Sequence, residues 1–242
     1  MTTTTRDTDA RLARIHETGY WRVTIRPTVF DERRIPTLHE CEQLIEETRI
    51  RLGGWDYPHV DHDGYDRGED FIQSGSDFAN HVELWRFYQS GQFVHHFAMR
   101  SDRMPANLSS INGQSGAPAP GPPQLDFVDL LYTLTEILEF TKNLAYRGIL
   151  DPAGDLRVEL HGVAQRMIVG PPGRLIDVTN GYYMAKMDSI SWTGSQPAVT
   201  LIADASRLAL DATIHILERF NWLDPSRSML EADQRRFLER RL

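Results

Sequence analysis

The chain has 242 residues, of which 40% are hydrophobic and 25% charged, and its formal net charge is −8 at pH 7. These values are typical of a globular protein with a sizeable core, and they argue against a disordered chain. The negative charge disfavours nonspecific binding to nucleic acid and adhesion to an anionic membrane. Only two of the 26 basic residues are lysine, an arginine bias that indicates a GC-rich, bacterial-like genome.

Cysteine usage and the N-terminal sequence together predict the compartment. Cys41 is the single cysteine of the chain, so an intramolecular disulfide is excluded. The N-terminus, MTTTTRDTDA, lacks the apolar core of a signal peptide, and the sequence contains no run of about 18 apolar residues. We therefore expect a cytoplasmic protein without membrane association.

The first elements of the chain are predicted to be a strand and then a helix. Alternation of apolar and polar residues indicates a half-buried strand. Its inward residues are Trp21, Val23 and Ile25. Thr37 and Glu40 then have the spacing of a capping box, which marks a helix N-terminus. Apolar residues follow at helical spacing as far as Leu52, and Gly53 is expected to end the helix.

A polar, glycine-rich stretch over residues 54–80 reads as a long loop, which is usually functional or disordered in a compact domain. The segment after it, 81–97 (HVELWRFYQSGQFVHHF), reads as a hairpin with aromatic residues on both faces. A two-residue turn at Ser90-Gly91 places Arg86 directly opposite His95. Because both faces are largely apolar, we expect this hairpin to lie inside a sheet that is covered on both sides.

The second half of the chain follows a proline- and glycine-rich segment. Five prolines and three glycines between residues 101 and 124 indicate a linker or a long surface excursion. Periodicity beyond it predicts helices and strands in alternation. The predicted helices are 126–148, 199–220 and a last one from Ser228, capped with Glu231, and the predicted strands are 156–169, 174–178 and 182–192.

This order of elements predicts an α+β fold in two lobes, each a small, mainly antiparallel sheet packed with one or two helices. The predicted organisation is a flexible N-terminus, an N-terminal α+β lobe with the aromatic hairpin, a Pro/Gly-rich linker and a C-terminal α+β lobe. Their bounds are 1–18, 19–104, 105–124 and 125–242.

One loop has the composition of a metal site. Two histidines and three carboxylates lie within eight residues, and imidazole with carboxylate suits a first-row divalent metal. The candidate ligands are His59, Asp61, His62, Asp63 and Asp66. Their spacing does not fit an EF-hand loop, because Tyr65 and Asp66 stand where that loop requires different residues. A solvated polar turn is the alternative interpretation.

The hairpin supplies a second candidate site. Arg86 on an apolar sheet face requires an acceptor, because a buried charge without a partner is costly. That acceptor is either a protein carboxylate, such as Glu69, Asp70 or Glu83, or an anionic ligand. The surrounding rings form either a core or the flat walls of a cleft. The candidate residues for ligand or partner contact are Arg86, His95, Trp85, Tyr88 and Trp55.

These observations leave several hypotheses about function. The sequence contains no P-loop, no dinucleotide fingerprint and no nucleophile elbow, so it does not indicate an enzyme class. The first hypothesis is a non-catalytic binding or interaction protein, a component of a multi-protein assembly, with a protein or a second copy as partner and no cofactor. The alternative is a metal-dependent hydrolase that uses a divalent metal in the 59–70 loop. Nucleic-acid contact through Arg22, Arg26 and the last helix is disfavoured by the net charge.

Overall fold

A computed structural model of the chain describes residues 3–78, 81–103, 122–171, 174, 176 and 182–240. Within these residues it contains five α-helices and a mainly antiparallel seven-stranded sheet, together with a small two-stranded sheet. The predicted α+β class is therefore confirmed.

The helices are α1 (Thr3–His16), α2 (Leu38–Thr48), α3 (Phe127–Tyr146), α4 (Ala198–Arg219) and α5 (Arg227–Leu238). The strands are β1 (Tyr20–Pro27), β2 (Asp66–Arg67), β3 (Phe71–Phe78), β4 (His81–Tyr88), β5 (Phe93–Ala98), β6 (Gln124–Asp126), β7 (Ala153–His161), β8 (Met167–Val169) and β9 (Ser189–Pro197). A helix that combines the length and the apolar composition needed to cross a bilayer is not found in the described part of the chain.

The large sheet joins strands from both halves of the sequence. Its order is β2-β3-β4-β5-β1-β7-β9, and every neighbouring pair is antiparallel. Because β1 pairs with β5 on one side and with β7 on the other, the sheet is continuous across the predicted boundary at 105–124. Most of that segment, residues 104–121, lies outside the described residues. The division into two lobes stays a prediction.

Helices cover both faces of the sheet around the hairpin. Helices α3 and α4 pack on the inner face, whose central strand contributes the fully or almost fully buried Trp21, Val23 and Ile25. Helix α1, which falls in the segment expected to be a flexible N-terminus, packs on the outer face, where Ile15 is fully buried in a cluster with Leu84. The hairpin β4–β5 therefore lies between two layers of helix.

Local signals located the early elements correctly, with one error at a helix end. The predicted capping box is confirmed, because Thr37 Oγ1 accepts from the Glu40 N–H at 3.2 Å and a Glu40 carboxylate oxygen accepts from the Thr37 N–H at 3.0 Å. Helix α2 ends at Thr48, however, and does not reach Gly53. The chain turns extended at Arg49 and pairs again through a bridge between Ile50 and Tyr57.

Two further boundaries differ from those predicted. The last helix is capped by Ser226, which accepts from the Met229 N–H at 3.3 Å, and not by Ser228. The strand expected over 182–192 is β9, which begins only at Ser189 and continues to Pro197. Most of the strand predicted over 174–178 lies outside the described residues.

The hairpin is formed, but its register is one residue away from the predicted one. Gly91 has a φ of +82°, which closes a three-residue loop over 89–91 instead of a two-residue turn. Arg86 therefore pairs with Val94, and His95 pairs with Trp85. A slip of one residue exchanges the two faces of a strand, so His95 lies on the inner face and the predicted contact between Arg86 and His95 is wrong.

Candidate functional site

A cavity of about 230 Å³ lies between the inner face of the sheet and helix α3. Its floor, wall and rim come from separate parts of the chain. The floor is formed by the strand residues Trp21, Glu83, His95 and Phe97. The wall is formed by Asp129, Tyr132, Thr133 and Glu136 of helix α3. The rim includes Trp55, Tyr57, His81 and Phe237. Five of these side chains are acids or histidines that the sheet and α3 hold in one place, namely His81, Glu83, His95, Asp129 and Glu136.

Glu83 is a buried carboxylate at the floor, with 2% of its side chain exposed. His95 Nε2 lies 2.8 Å from one carboxylate oxygen, and His81 Nε2 lies 3.2 Å from the other. Trp55 Nε1 donates to that second oxygen at 3.3 Å. Burial opposes the charge, but the hydrogen bond from His95 and the neighbouring His81 ring outweigh it and hold the pKa of Glu83 well below its ordinary value. Glu83 is therefore a fixed negative charge.

His95 and Tyr57 each present a buried polar atom to this cavity without a hydrogen-bond partner among the described residues. A carboxylate only accepts, so His95 donates to Glu83 through Nε2, and burial lowers the pKa of His95 and favours the neutral ring. His95 Nδ1 is then a free acceptor, and the Tyr57 hydroxyl is equally unpartnered. The two side chains are 1% and 6% exposed, and their ring centroids are 5.2 Å apart.

Tyr57 keeps its proton and is therefore available as a donor. Burial, together with the nearby charges of Glu83 and Glu136, raises the pKa of Tyr57 well above its ordinary value. A buried polar group without a partner costs about 1–3 kcal/mol. A donor and an acceptor side by side in one cavity therefore match a bound molecule that carries complementary groups.

Glu136 lies on the wall opposite the sheet. Its carboxylate accepts from the Gly53 N–H at 3.2 Å. Burial raises the pKa of Glu136 from 4.5 to about 8, and the negative charges of Asp129 and Glu83 act in the same direction. Glu136 is therefore largely protonated at neutral pH, whereas Glu83 on the floor is ionised. Two carboxyl groups with opposite protonation states lie in one cavity.

Asp129 and the aromatic residues complete the wall. Burial also raises the pKa of Asp129, but 39% of its side chain is exposed and the Arg100 guanidinium lies 3.9 Å away. Solvent therefore screens Asp129 more than Glu136. Tyr132 stacks on Phe237 with ring centroids 4.1 Å apart, which fixes a flat apolar surface beside these two acids.

Of the residues predicted to contact a ligand or partner, the structure brings Trp55 and His95 together at this cavity. Arg86 does not line it. Its guanidinium lies on the outer face, donates to the Gln73 side-chain oxygen at 2.8 Å and stacks on Phe71 at 4.6 Å. The acceptor for Arg86 is therefore the neutral amide of Gln73. It is not Glu69, Asp70 or Glu83, the carboxylates that the sequence suggested.

The two remaining predicted contact residues lie away from the cavity. Trp85 is fully buried, and its indole N–H donates to the His59 carbonyl at 2.5 Å. Tyr88 is half-buried, and its ring centroid lies 5.5 Å from that of Phe71.

The five candidate metal ligands are spread along an exposed loop. His62 contacts Asp61 at 2.8 Å through Nδ1 and Asp63 at 3.1 Å through Nε2. His59 stacks on Trp55 with ring centroids 4.1 Å apart, and Asp66 lies 3.4 Å from the Gln73 amide. Among the residues that the structure describes, no group of three or more His, Cys, Asp or Glu is arranged to hold a metal ion. The metal hypothesis stays a prediction from composition.

The strand arginines of the nucleic-acid hypothesis have acidic partners. Arg22 Nε lies 3.8 Å from Glu159, and the Arg26 guanidinium lies 3.2 Å from Asp155. These contacts form between neighbouring strands β1 and β7. They reduce the positive charge that this face offers to a phosphate backbone.

Sequence reasoning missed most of the cavity. It named Glu83 only as a counter-ion for Arg86, it considered Tyr57 only as one of the rings of a core or a cleft, and it did not consider Glu136 as a site residue. A signal was present at Glu83, because an acidic residue between Val82 and Leu84 in a buried strand requires a partner. His95 is that partner only in the observed register, which places its side chain on the same face of the sheet as Glu83.

We compared the chain with known protein families, with curated proteins and with solved structures, and none of the three comparisons gives a match. The site is therefore interpreted from its own chemistry.

Proposed function

We propose that this is a binding protein whose cavity takes a small molecule, and that its role is recognition without chemical conversion. The observation that supports this proposal is the pair of buried, unpartnered polar atoms, Tyr57 Oη and His95 Nδ1, in one cavity. Buried polar groups are satisfied in almost all native structures, so such exceptions call for a physical explanation. A ligand that offers an acceptor to Tyr57 and a donor to His95 provides one.

The neighbouring contacts favour a preorganised binding site. His95 is fixed by its bond to Glu83, and Tyr57 is fixed by paired backbone hydrogen bonds to Ile50, at 2.7 and 2.9 Å. A site whose polar groups are already immobilised loses little conformational entropy when a ligand binds. The cavity volume sets the size of that ligand. A cavity of roughly 150 Å³ accommodates benzene, so 230 Å³ accommodates a ring with a short substituent.

A fragment screen with a cavity-filling variant tests the proposal. We expect fragments of one ring and one short substituent to bind the wild-type protein. Thr133→Phe places a ring in the cavity from a half-buried position on α3 and should abolish that binding. Thr193→Phe, the same substitution at an exposed position on β9, is the matched control and should retain it. Absence of binding to the wild-type protein, or equal binding to both variants, would contradict the proposal.

We also propose that the protein is cytoplasmic and that it binds a protein partner or a second copy of itself. Exposed apolar side chains at one end of the sheet support this part of the proposal. Val29 and Phe30, 55% and 80% exposed, follow β1, and Val199, 73% exposed, follows β9. Sedimentation velocity over a range of concentrations should show self-association that Phe30→Asp abolishes. A wild-type protein that is monomeric at every concentration would reject the second copy as the partner.

A further inference from the structure

Charge is not balanced around the cavity. Asp56 is paired with Arg49 and Arg51, at 3.2 and 3.5 Å, whereas the ionised Glu83 accepts a hydrogen bond from the neutral His95 and has His81 Nε2 3.2 Å away. Glu136 has no cationic side chain within ion-pair distance among the described residues, and its contact with Gly53 is to a neutral N–H. An acid without a cation therefore lies in the wall of a cavity that already contains a second, ionised acid.

We infer that the ligand of this cavity is a small organic cation, a protonated amine on a flat apolar body, whose charged nitrogen binds beside Glu136. This inference rests on the proposed function and gives its ligand class. An ammonium group supplies a counter-charge to the ionised form of Glu136. It also donates hydrogen bonds, which the lone pair of His95 Nδ1 can accept. An anion would instead approach the ionised Glu83, and the Arg100 guanidinium of the cavity lining already lies 3.9 Å from Asp129.

The aromatic residues suit such a ligand. The stacked Tyr132 and Phe237 line the cavity on the same side as Glu136, and Trp55 lies at the rim. Ring faces attract cations within about 6 Å, and they also bury the apolar part of the ligand. Acid, ring faces and a hydrogen-bond acceptor thus surround the same volume.

Binding of a cation is linked to release of a proton. Glu136 is largely protonated at neutral pH, and an ammonium beside it favours the ionised form. One proton therefore leaves when the cation binds below about pH 8. The titratable and charged groups that line the cavity around Glu136 are Asp56 and Tyr57 of the rim, His81, Glu83 and His95 of the sheet, Arg100, and Asp129 and Tyr132 of its own helix.

Three probes with the same ring and different charge test the inference. They are benzylamine, which is a cation throughout the range used, benzyl alcohol, which is neutral, and benzoate, which is an anion. We expect benzylamine to bind most tightly, with an affinity that rises about tenfold per pH unit between pH 6 and 8 and then levels off. Calorimetry in buffers of different ionisation enthalpy should show release of close to one proton at pH 6.5.

Two variants separate Glu136 from the rest of the site. Glu136→Gln keeps an oxygen that can accept from Gly53 and should abolish both the rise with pH and the proton release. Glu139→Gln removes an acid of the same helix that is paired with Lys142 and does not line the cavity, and it should behave like the wild type. Circular dichroism checks that each variant is folded, and proton release by the wild-type protein tests the inference without any variant.

Failure of the inference is distinguishable from failure of the proposed function. Binding of benzyl alcohol or benzoate as tightly as benzylamine would overturn the cation inference and leave a ligand-binding cavity. Benzylamine binding without a pH dependence, or with the same pH dependence in Glu136→Gln, would also overturn it. If no fragment of any charge binds, the proposed function fails as well.

Discussion

Replacing Glu136 with glutamine should stabilise the protein at alkaline pH. The folded state disfavours the ionised carboxyl, whose pKa is raised from 4.5 to about 8. Below pH 4.5 the group is neutral in both the folded and the unfolded state, so it imposes no cost. As the pH rises from 4.5 to 8, the unfolded state loses its proton first, and stability falls until the pH exceeds the pKa of the folded state.

The size of the effect follows from that shift. A rise from 4.5 to about 8 corresponds to about 5 kcal/mol at most, since one pKa unit equals about 1.4 kcal/mol. Glu136 is only partly buried, and solvent screening reduces the value, so we expect about 2 kcal/mol. Glutamine keeps the shape of the side chain and an acceptor for the Gly53 N–H, and the difference therefore measures the charge.

Urea unfolding from pH 5 to pH 9 is the appropriate measurement, with the wild type, Glu136→Gln and the control Glu139→Gln. The free energy of unfolding of Glu136→Gln should exceed that of the wild type by about 2 kcal/mol at pH 9, and the difference should shrink towards pH 5. Equal stability of the two proteins at pH 9, or a difference that does not vary with pH, would refute this account of Glu136.

Three further predictions concern the rest of the fold. Burial lowers the pKa of His96 from 6.5 to about 4, so the stability of the wild type should fall by about 2–3 kcal/mol between pH 6.5 and 4, because the unfolded state binds the proton first. His96→Gln should flatten that fall, and unchanged acid unfolding would contradict the prediction. Asp102→Ala removes the carboxylate that contacts Arg166 at 2.6 Å and should cost about 3–5 kcal/mol in urea unfolding, since it leaves a buried guanidinium without a counter-charge. A loss below about 1 kcal/mol would show that the carbonyl oxygens of Gln124 and Gly162, which already accept from Arg166, are sufficient partners. Thr37→Ala should cost about 1 kcal/mol through loss of the capping box, and an unchanged midpoint of unfolding would show that the cap does not stabilise α2.

The sequence predicted those features that depend on neighbouring residues. The capping box at Thr37 involves residues three positions apart, and the alternation in β1 reflects a face that remains buried whatever the partner strand. The N-terminus of α3 was located within one residue for the same reason, because Asp126 caps its own helix through the Val128 N–H at 2.7 Å. Such interactions are complete within one element.

The cavity was not predicted, because its parts meet only through tertiary structure. The sequence around residues 89–91 is compatible with a hairpin loop of two or of three residues, and the left-handed conformation of Gly91 selects the three-residue loop. That single choice moves His95 from the face of Arg86 to the face of Glu83. The position of Glu136 opposite Glu83 depends on how α3 packs on the sheet, which no local pattern specifies.

The indole N–H signal of Trp55 provides the most direct test of the cavity as a ligand site. This group lies at the rim of the cavity and donates to Glu83 at 3.3 Å, so a ligand in the cavity must change its environment. In ¹H–¹⁵N spectra titrated with benzylamine, we predict a saturable shift of the Trp55 signal, while Trp192 on β9, which does not line the cavity, stays unchanged. A Trp55 signal that does not move with benzylamine, benzyl alcohol or benzoate, or that moves no more than Trp192, would contradict the account.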